Sequence, residues 1–186
     1  MRTDRLSVYP TWNLTLPDLP TRSALYPLKP VGIGTPDVES LTSYLARLAT
    51  AHSISPRVLL AEAVIPLVGR NDLRKATDNS LSAFWTTDAR ALNGTGTIAR
   101  VWSRAVATLT GDADLPYLTL LTWREVFPSR GLLRRFRAWC PACYEEWRRQ
   151  DAIIYDPLRW ALAVVTACPR HCRPLRQACP HPACRQ

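Results

Sequence analysis

The chain has 186 residues, 47% of them hydrophobic, and a formal net charge of +9. That length allows one or two small domains, and the hydrophobic share excludes global disorder. No apolar run approaches the roughly 18 residues needed to span a bilayer, and no signal-peptide pattern is visible, so the cytoplasm is the expected compartment.

The positive charge is almost all arginine, since Lys29 and Lys75 are the only lysines. A guanidinium is a planar fork of donors suited to phosphate or carboxylate. The charge is uneven: from Arg130 to Gln186 there are 11 Arg against Glu145, Glu146, Asp151 and Asp156. This pattern fits nucleic-acid contact or a plain basic surface. With 16 Pro and 7 Gly, short helices between rigid turns are expected.

Residues 1–36 hold six prolines, from Pro10 to Pro36, and read as a Pro-rich arm in which helix cannot persist. Trp12, Leu14, Leu16 and Leu19 are apolar enough to dock it on its own domain or on a partner. Residues 37–135 read as a helical domain. Leu41, Tyr44, Leu45, Leu48 and Ala49 share one face of a predicted helix, capped by Asp37 or Ser40. A turn at His52–Ser55 follows. Ser55 and Pro56 then open a second helix, from Arg57 to about Ile65, which Pro66 is expected to end. This is the outline of a helix-turn-helix.

A weaker copy follows. Ile98, Val101, Trp102, Ala105, Val106 and Leu109 predict one helix, and Pro116 is expected to open another. The second helix of the first unit offers only Arg57 near its start and then Val58, Leu59 and Leu60, a poor surface for reading bases. The predicted class is therefore mainly α, with two helix-turn-helix-like units, followed by a small β-containing zinc-finger module at 136–186.

That module carries all six cysteines. Cys140-Pro-Ala-Cys143 and Cys168-Pro-Arg-His171 are two knuckles, each with two residues between its ends. This spacing lets a tight turn aim both side chains at one metal, and three thiolates with one imidazole make a closed structural zinc site. Between the knuckles, residues 153–167 are β-prone, with Tyr155, Trp160, Val164 and Val165 as candidate core. Cys179 and Cys184, with Cys172 and His181, are candidates for a second zinc, though the pair could equally be free thiols. Arg134, Arg135, Arg137, Arg148, Arg149, Arg170, Arg173 and Arg176 are the candidates for nucleic-acid contact. No phosphate-cradling glycine loop or clustered catalytic carboxylates appear, and His52 falls in a turn, so the chain does not read as an enzyme.

In order, "ESLTSYLARLA" (Glu39 to Ala49), "WCPAC" and "CPRHCRPLRQACPHPAC" resemble the TniQ family of TniQ/TnsD-like transposition target-selection proteins. Glu39, Ser40, Leu41, Ser43, Tyr44, Leu45, Arg47, Leu48 and Ala49 match its first block. Cys140, Pro141, Cys143, Trp160, Cys168, Pro169, His171 and Leu175 match its second. Cys172 departs from the usual glycine, and Cys179–Cys184 is stretched relative to the family's third knuckle. Many members continue with a further cysteine pair, which leaves two expectations open: a second finger that is incomplete here, in a short form or a part of a longer protein, or a self-contained second site with Cys172 and His181.

The resemblance implies a non-enzymatic adaptor. It would link a target-recognition module, either an RNA-guided CRISPR effector or attachment-site DNA, to an AAA+ transposition ATPase of the TnsC-like kind. The runner-up is a stand-alone zinc and helix-turn-helix regulator that reads one DNA sequence.

Overall fold

The structure, a computed structural model, describes residues 22–69, 89–128 and 130–179. Trp12, Leu14, Leu16 and Leu19 lie outside the described residues. The first helix, α1 (Leu41–Ala51), starts where Ser40 accepts the Ser43 N–H, so Ser40 and not Asp37 is its cap. Leu41, Tyr44, Leu45, Leu48 and Ala49 are buried, as their spacing predicts. The second helix, α2 (Pro56–Val68), is capped by Ser55 and crosses α1 at 100°, an angle typical of a helix-turn-helix.

Helix α2 does not end at Pro66. Its middle, Leu60–Val64, is wound as a π-helix, and the Ile65 N–H reaches back to the Leu60 carbonyl. The wider turn leaves room for the proline ring, which an unbroken α-helix would drive into the carbonyl four residues earlier. The helix resumes over Ile65–Val68 and stops at Gly69, whose φ of 73° suits glycine.

Helix α3 (Thr97–Thr110) packs Trp102, Ala105 and Val106 into the same core as α1 and α2, while Ile98 stays exposed. The second helix expected after Pro116 is absent. Leu115–Leu118 and Leu120–Trp123 are short 3-10 turns instead, broken at Thr119. The Thr119 hydroxyl donates to the Pro116 carbonyl and accepts the Leu121 N–H. A side chain that bonds its own backbone in this way competes with helix. The second helix-turn-helix-like unit is therefore not formed.

The described part of the arm is docked. Leu25 and Leu28 pack against the helical core. The Tyr44 hydroxyl donates to the Leu28 carbonyl, and Tyr26 stacks on His52, whose Nε2 accepts the Tyr26 N–H. Burial pushes the Tyr44 phenol up to about 12, from near 10 in an unfolded chain. The folded chain thus holds this proton more tightly. The resulting stability is full below about pH 10 and is lost as pH rises towards about 12. In urea titrations across that range, Tyr44→Phe is expected to flatten the fall in stability. An unchanged slope would show that the phenol is not held by the fold.

The C-terminal part begins with helix α4 (Pro141–Arg149) and ends in a two-residue hairpin, β1 (Ala167–Cys168) with β2 (Arg173–Pro174), antiparallel. Strands are therefore fewer and later than the β-prone run 153–167 suggested. Within that run, Leu158–Ala161 forms a 3-10 turn that buries Trp160, and Val164 is 78% exposed, so Val164 is not core. The β-branched residues there had no sheet to enter.

Candidate metal centre

Two local turns build the site. Cys140 is the N-cap of α4 and Cys143 lies in its first turn, three residues on and so on the same helical face. Cys168 ends β1, and His171 sits in the turn before β2. The turn closes at Cys172, which adopts a positive φ of 49°. The two knuckles meet: Cys143 Sγ lies 3.6 Å from Cys168 Sγ, and His171 Nδ1 lies 3.3 Å from Cys143 Sγ. The same nitrogen is 3.7 Å from both Cys140 Sγ and Cys168 Sγ. All four ligand atoms lie within 4.8 Å of one another, and the three thiols are buried. This cluster can hold one metal ion.

Electrostatics favour a cation here. Burial and the neighbouring Cys168 and Cys140 thiols push the Cys143 thiol strongly up. Burial also acts to raise Cys168, but hydrogen bonds from His171 and the Arg170 backbone outweigh it and bring that thiol down to about 7. Cys143 thus resists ionising, a resistance that a metal ion would remove, while the hydrogen bonds on Cys168 favour its thiolate.

Sequence reasoning missed one partner of the site. Glu146, on α4 three residues after Cys143, places Oε2 3.5 Å from His171 Nε2. That oxygen is buried and has no hydrogen bond of its own, while Oε1 takes Arg170. The carboxylate thus faces the far ring nitrogen, the place from which a hydrogen bond would fix the tautomer and leave Nδ1 free to ligate. The i, i+3 spacing from Cys143 was visible in the sequence, but nothing there placed His171 beside it.

Aromatic side chains back the cluster. Trp160 is buried against it, with Trp139, Tyr144 and Trp147 packed around. The other described cysteines, Cys172 and Cys179, do not join it. Cys172 is exposed with its thiol towards the Pro169 carbonyl, and Cys179 is half-buried. Among the described residues no second ligand cluster forms, and His181 and Cys184 lie outside them.

The eight arginines fall into three groups. Arg134 reaches the carbonyls of Leu162 and Val165, Arg137 pairs with Asp156 while its side chain stays exposed, and Arg135 sits over the Phe136 ring. Arg148 and Arg149 pair with Glu145, and Arg170 with Glu146. Arg173 and Arg176 are exposed on and beside the hairpin.

The first block, Glu39 to Ala49, serves a different purpose. Glu39 is fully buried, yet its carboxylate is partnered: Arg47 Nε and Nη2 donate to its two oxygens at 2.8 and 2.7 Å. The Ser43 hydroxyl donates at 2.9 Å and the Val31 N–H at 3.3 Å. Gly32 makes the turn that brings Val31 there. Its φ is 70°, and a Cβ would meet the Asp37 carbonyl at 2.8 Å. Ser43 also accepts the Asp156 N–H, and the Ser40 N–H donates to the Asp156 carbonyl. Asp156 in turn holds Arg137 and Tyr144 of the metal region. The block is thus the joint between arm, helical body and metal region.

The TniQ family model matches residues 30–175, a span that contains this joint and all four clustered ligands. None of the curated proteins compared with the chain matches it. Of 186 residues, most lie within the matched span, and the chain belongs to the TniQ family, which sets it among transposition-associated target-selection proteins of a non-catalytic, adaptor type.

Proposed function

We propose that the chain is a non-enzymatic adaptor in transposition, linking a target-recognition module to an AAA+ ATPase. The family match over residues 30–175 is the observation that supports it. Its parts are an arm at 1–36, a helical body at 37–135 and a metal module at 136–186. The poor base-reading surface of α2 argues for targeting by a partner, an RNA-guided CRISPR effector or a protein bound at an attachment site. There Val58 and Leu67 are exposed while Leu59, Leu60, Val64 and Ile65 are buried.

Zinc is the proposed metal, held by Cys140, Cys143, Cys168 and His171. A regular zinc tetrahedron has S···S edges of about 3.8 Å and S···N edges of about 3.6 Å. The 3.6 Å Cys143–Cys168 separation and the 3.3 to 3.7 Å separations to His171 Nδ1 fit those edges. With four protein ligands and no open position, the ion would be structural. Glu146→Ala should weaken zinc retention by about 10- to 100-fold in chelator competition. Retention equal to the parent chain would remove Glu146 from the site.

Nucleic-acid contact in this reading is with the backbone. Among the candidate arginines, Arg173 and Arg176 are the best placed for it. Random duplex and attachment-site duplex should compete almost equally, with a steep salt dependence. Arg173→Glu with Arg176→Glu should weaken both alike and flatten the salt slope by about two. A preference of about a thousandfold or more for one sequence would instead favour the stand-alone regulator.

A further inference from the structure

A cleft of about 1020 Å³ separates the helical body from the metal region. Ala46, Thr50 and Ala51 of α1 and Pro56 of α2 line one wall. Phe136, Ile153 and Ile154 line the other, and they are 59%, 53% and 45% exposed. The volume exceeds what most small ligands fill. Large aliphatic and aromatic groups left in water side by side mark a place where another chain packs.

The charge of the cleft is one-sided. Arg90 and Arg135 stand on its walls together with Arg47, Arg134 and Arg137, while Asp156 is the only acid among the described lining residues. Asp156 is already held by Arg137 and Tyr144, and Arg47 by the buried Glu39. The occupant must therefore bring carboxylates or phosphates as well as apolar groups.

Single-stranded nucleic acid needs open aromatic faces on which bases stack. Here those faces are committed. Tyr155 stacks on Trp147 with centroids 4.7 Å apart, the Arg135 guanidinium lies 5.4 Å from the Phe136 centroid, and Trp160 is 1% exposed. Of the exposed apolar groups, Ile153 and Ile154 are aliphatic, and Phe136 carries the Arg135 guanidinium over its ring. Aliphatic walls under a positive rim suit leucine- or isoleucine-bearing peptide flanked by acids.

We propose that this cleft docks a segment of a partner protein rich in leucine, isoleucine or phenylalanine and flanked by aspartate or glutamate. The proposal deepens the adaptor reading and rests on it for the existence of a protein partner.

The test pans the full chain against a phage-displayed library of random dodecapeptides. The Ile153→Asp/Ile154→Asp chain serves as counter-target, and Phe136→Glu as a second variant from the same wall. All three positions are exposed, so melting temperature and metal content should match the parent. Enriched peptides are expected to combine acids with aliphatic residues. They should bind either variant about tenfold more weakly or worse and weaken in high salt. The proposal is overturned if no peptide prefers the parent chain or if enriched peptides lack acids. It is also overturned if labelled oligo-dT, and not peptide, loses binding with the isoleucines, which would make the cleft a nucleic-acid channel. The duplex competition that tests the adaptor reading does not involve these isoleucines, so either idea can fail alone.

Discussion

Cys143→Ser is expected to strip the metal from the chain and unfold residues 136–179. The C-terminal core is small. Its cluster at the metal site has four buried members, Cys140, Cys143, Trp160 and Cys168, so three of those four are candidate ligands, while Leu158 packs separately with Leu120 and Leu132. Without an ion, those thiols are packed against one another with only hydrogen bonds to offset their burial. Structural zinc in small modules contributes on the order of 10–16 kcal/mol, as much as the roughly 5–15 kcal/mol by which whole domains are commonly stable. The helical core draws on α1, α2, α3, Ala89, Leu92 and Leu115–Leu118, with Leu25, Leu28 and Val38 packed against it, and on no described residue beyond Leu118. It should therefore stay folded. Hydrogen exchange should show fast amides throughout α4 and the hairpin and slow ones in α1 and α3. A variant with the parent's zinc content and melting temperature would contradict the assignment.

The second large effect is expected at the joint. Arg47→Ala leaves the Glu39 carboxylate buried without its only cation among the described residues, since Ser43 and the Val31 N–H supply hydrogen bonds but no charge. Breaking a buried pair from one side costs about 3–5 kcal/mol. Glu39→Gln with Arg47→Met removes both charges and should recover part of that loss. Urea unfolding of the two single variants and the double variant gives the coupling directly. A loss below about 1 kcal/mol for Arg47→Ala would mean that Glu39 is not held as charged in the fold.

Glu39, Ser43 and Arg47 were legible as a sequence block but not as a device. Ser43 and Arg47 lie four apart on one face of α1, while Glu39 precedes the Ser40 cap in extended backbone bridged to Pro157. The sequence alone does not say that this face looks inward at an arm and a distant aspartate. Local chemistry was more readable. Ser40, Ser55 and Pro56 cap their helices because a cap needs only its own neighbours. The buried face of α1 followed from a period of 3.6. Pro66 misled because a proline's effect depends on how the preceding turn is wound, and the π-wound turn is paid for by core packing of Leu60, Val64 and Ile65. The 3-10 turns after Pro116 escaped periodicity because apolar spacing does not register a threonine bonding its own backbone.

The metal cluster was legible for a different reason. Ligand geometry is strict, and two-residue spacers within each knuckle leave little freedom. The second set of cysteines lacks such spacing, and among the described residues it does not assemble. Glu146 and the cleft depend on how chain segments far apart in sequence come together. His171 follows Glu146 by 25 positions, and Ile153 faces α1 across more than a hundred, so no local pattern could announce either.

The most direct test of the account is zinc-edge X-ray absorption on the purified full chain, with Cys143→Ser beside it. The account predicts a shell of three sulfurs at about 2.3 Å and one nitrogen at about 2.0–2.1 Å, lost in the variant. A shell of oxygen and nitrogen alone, or a sulfur shell that survives in Cys143→Ser, would contradict it.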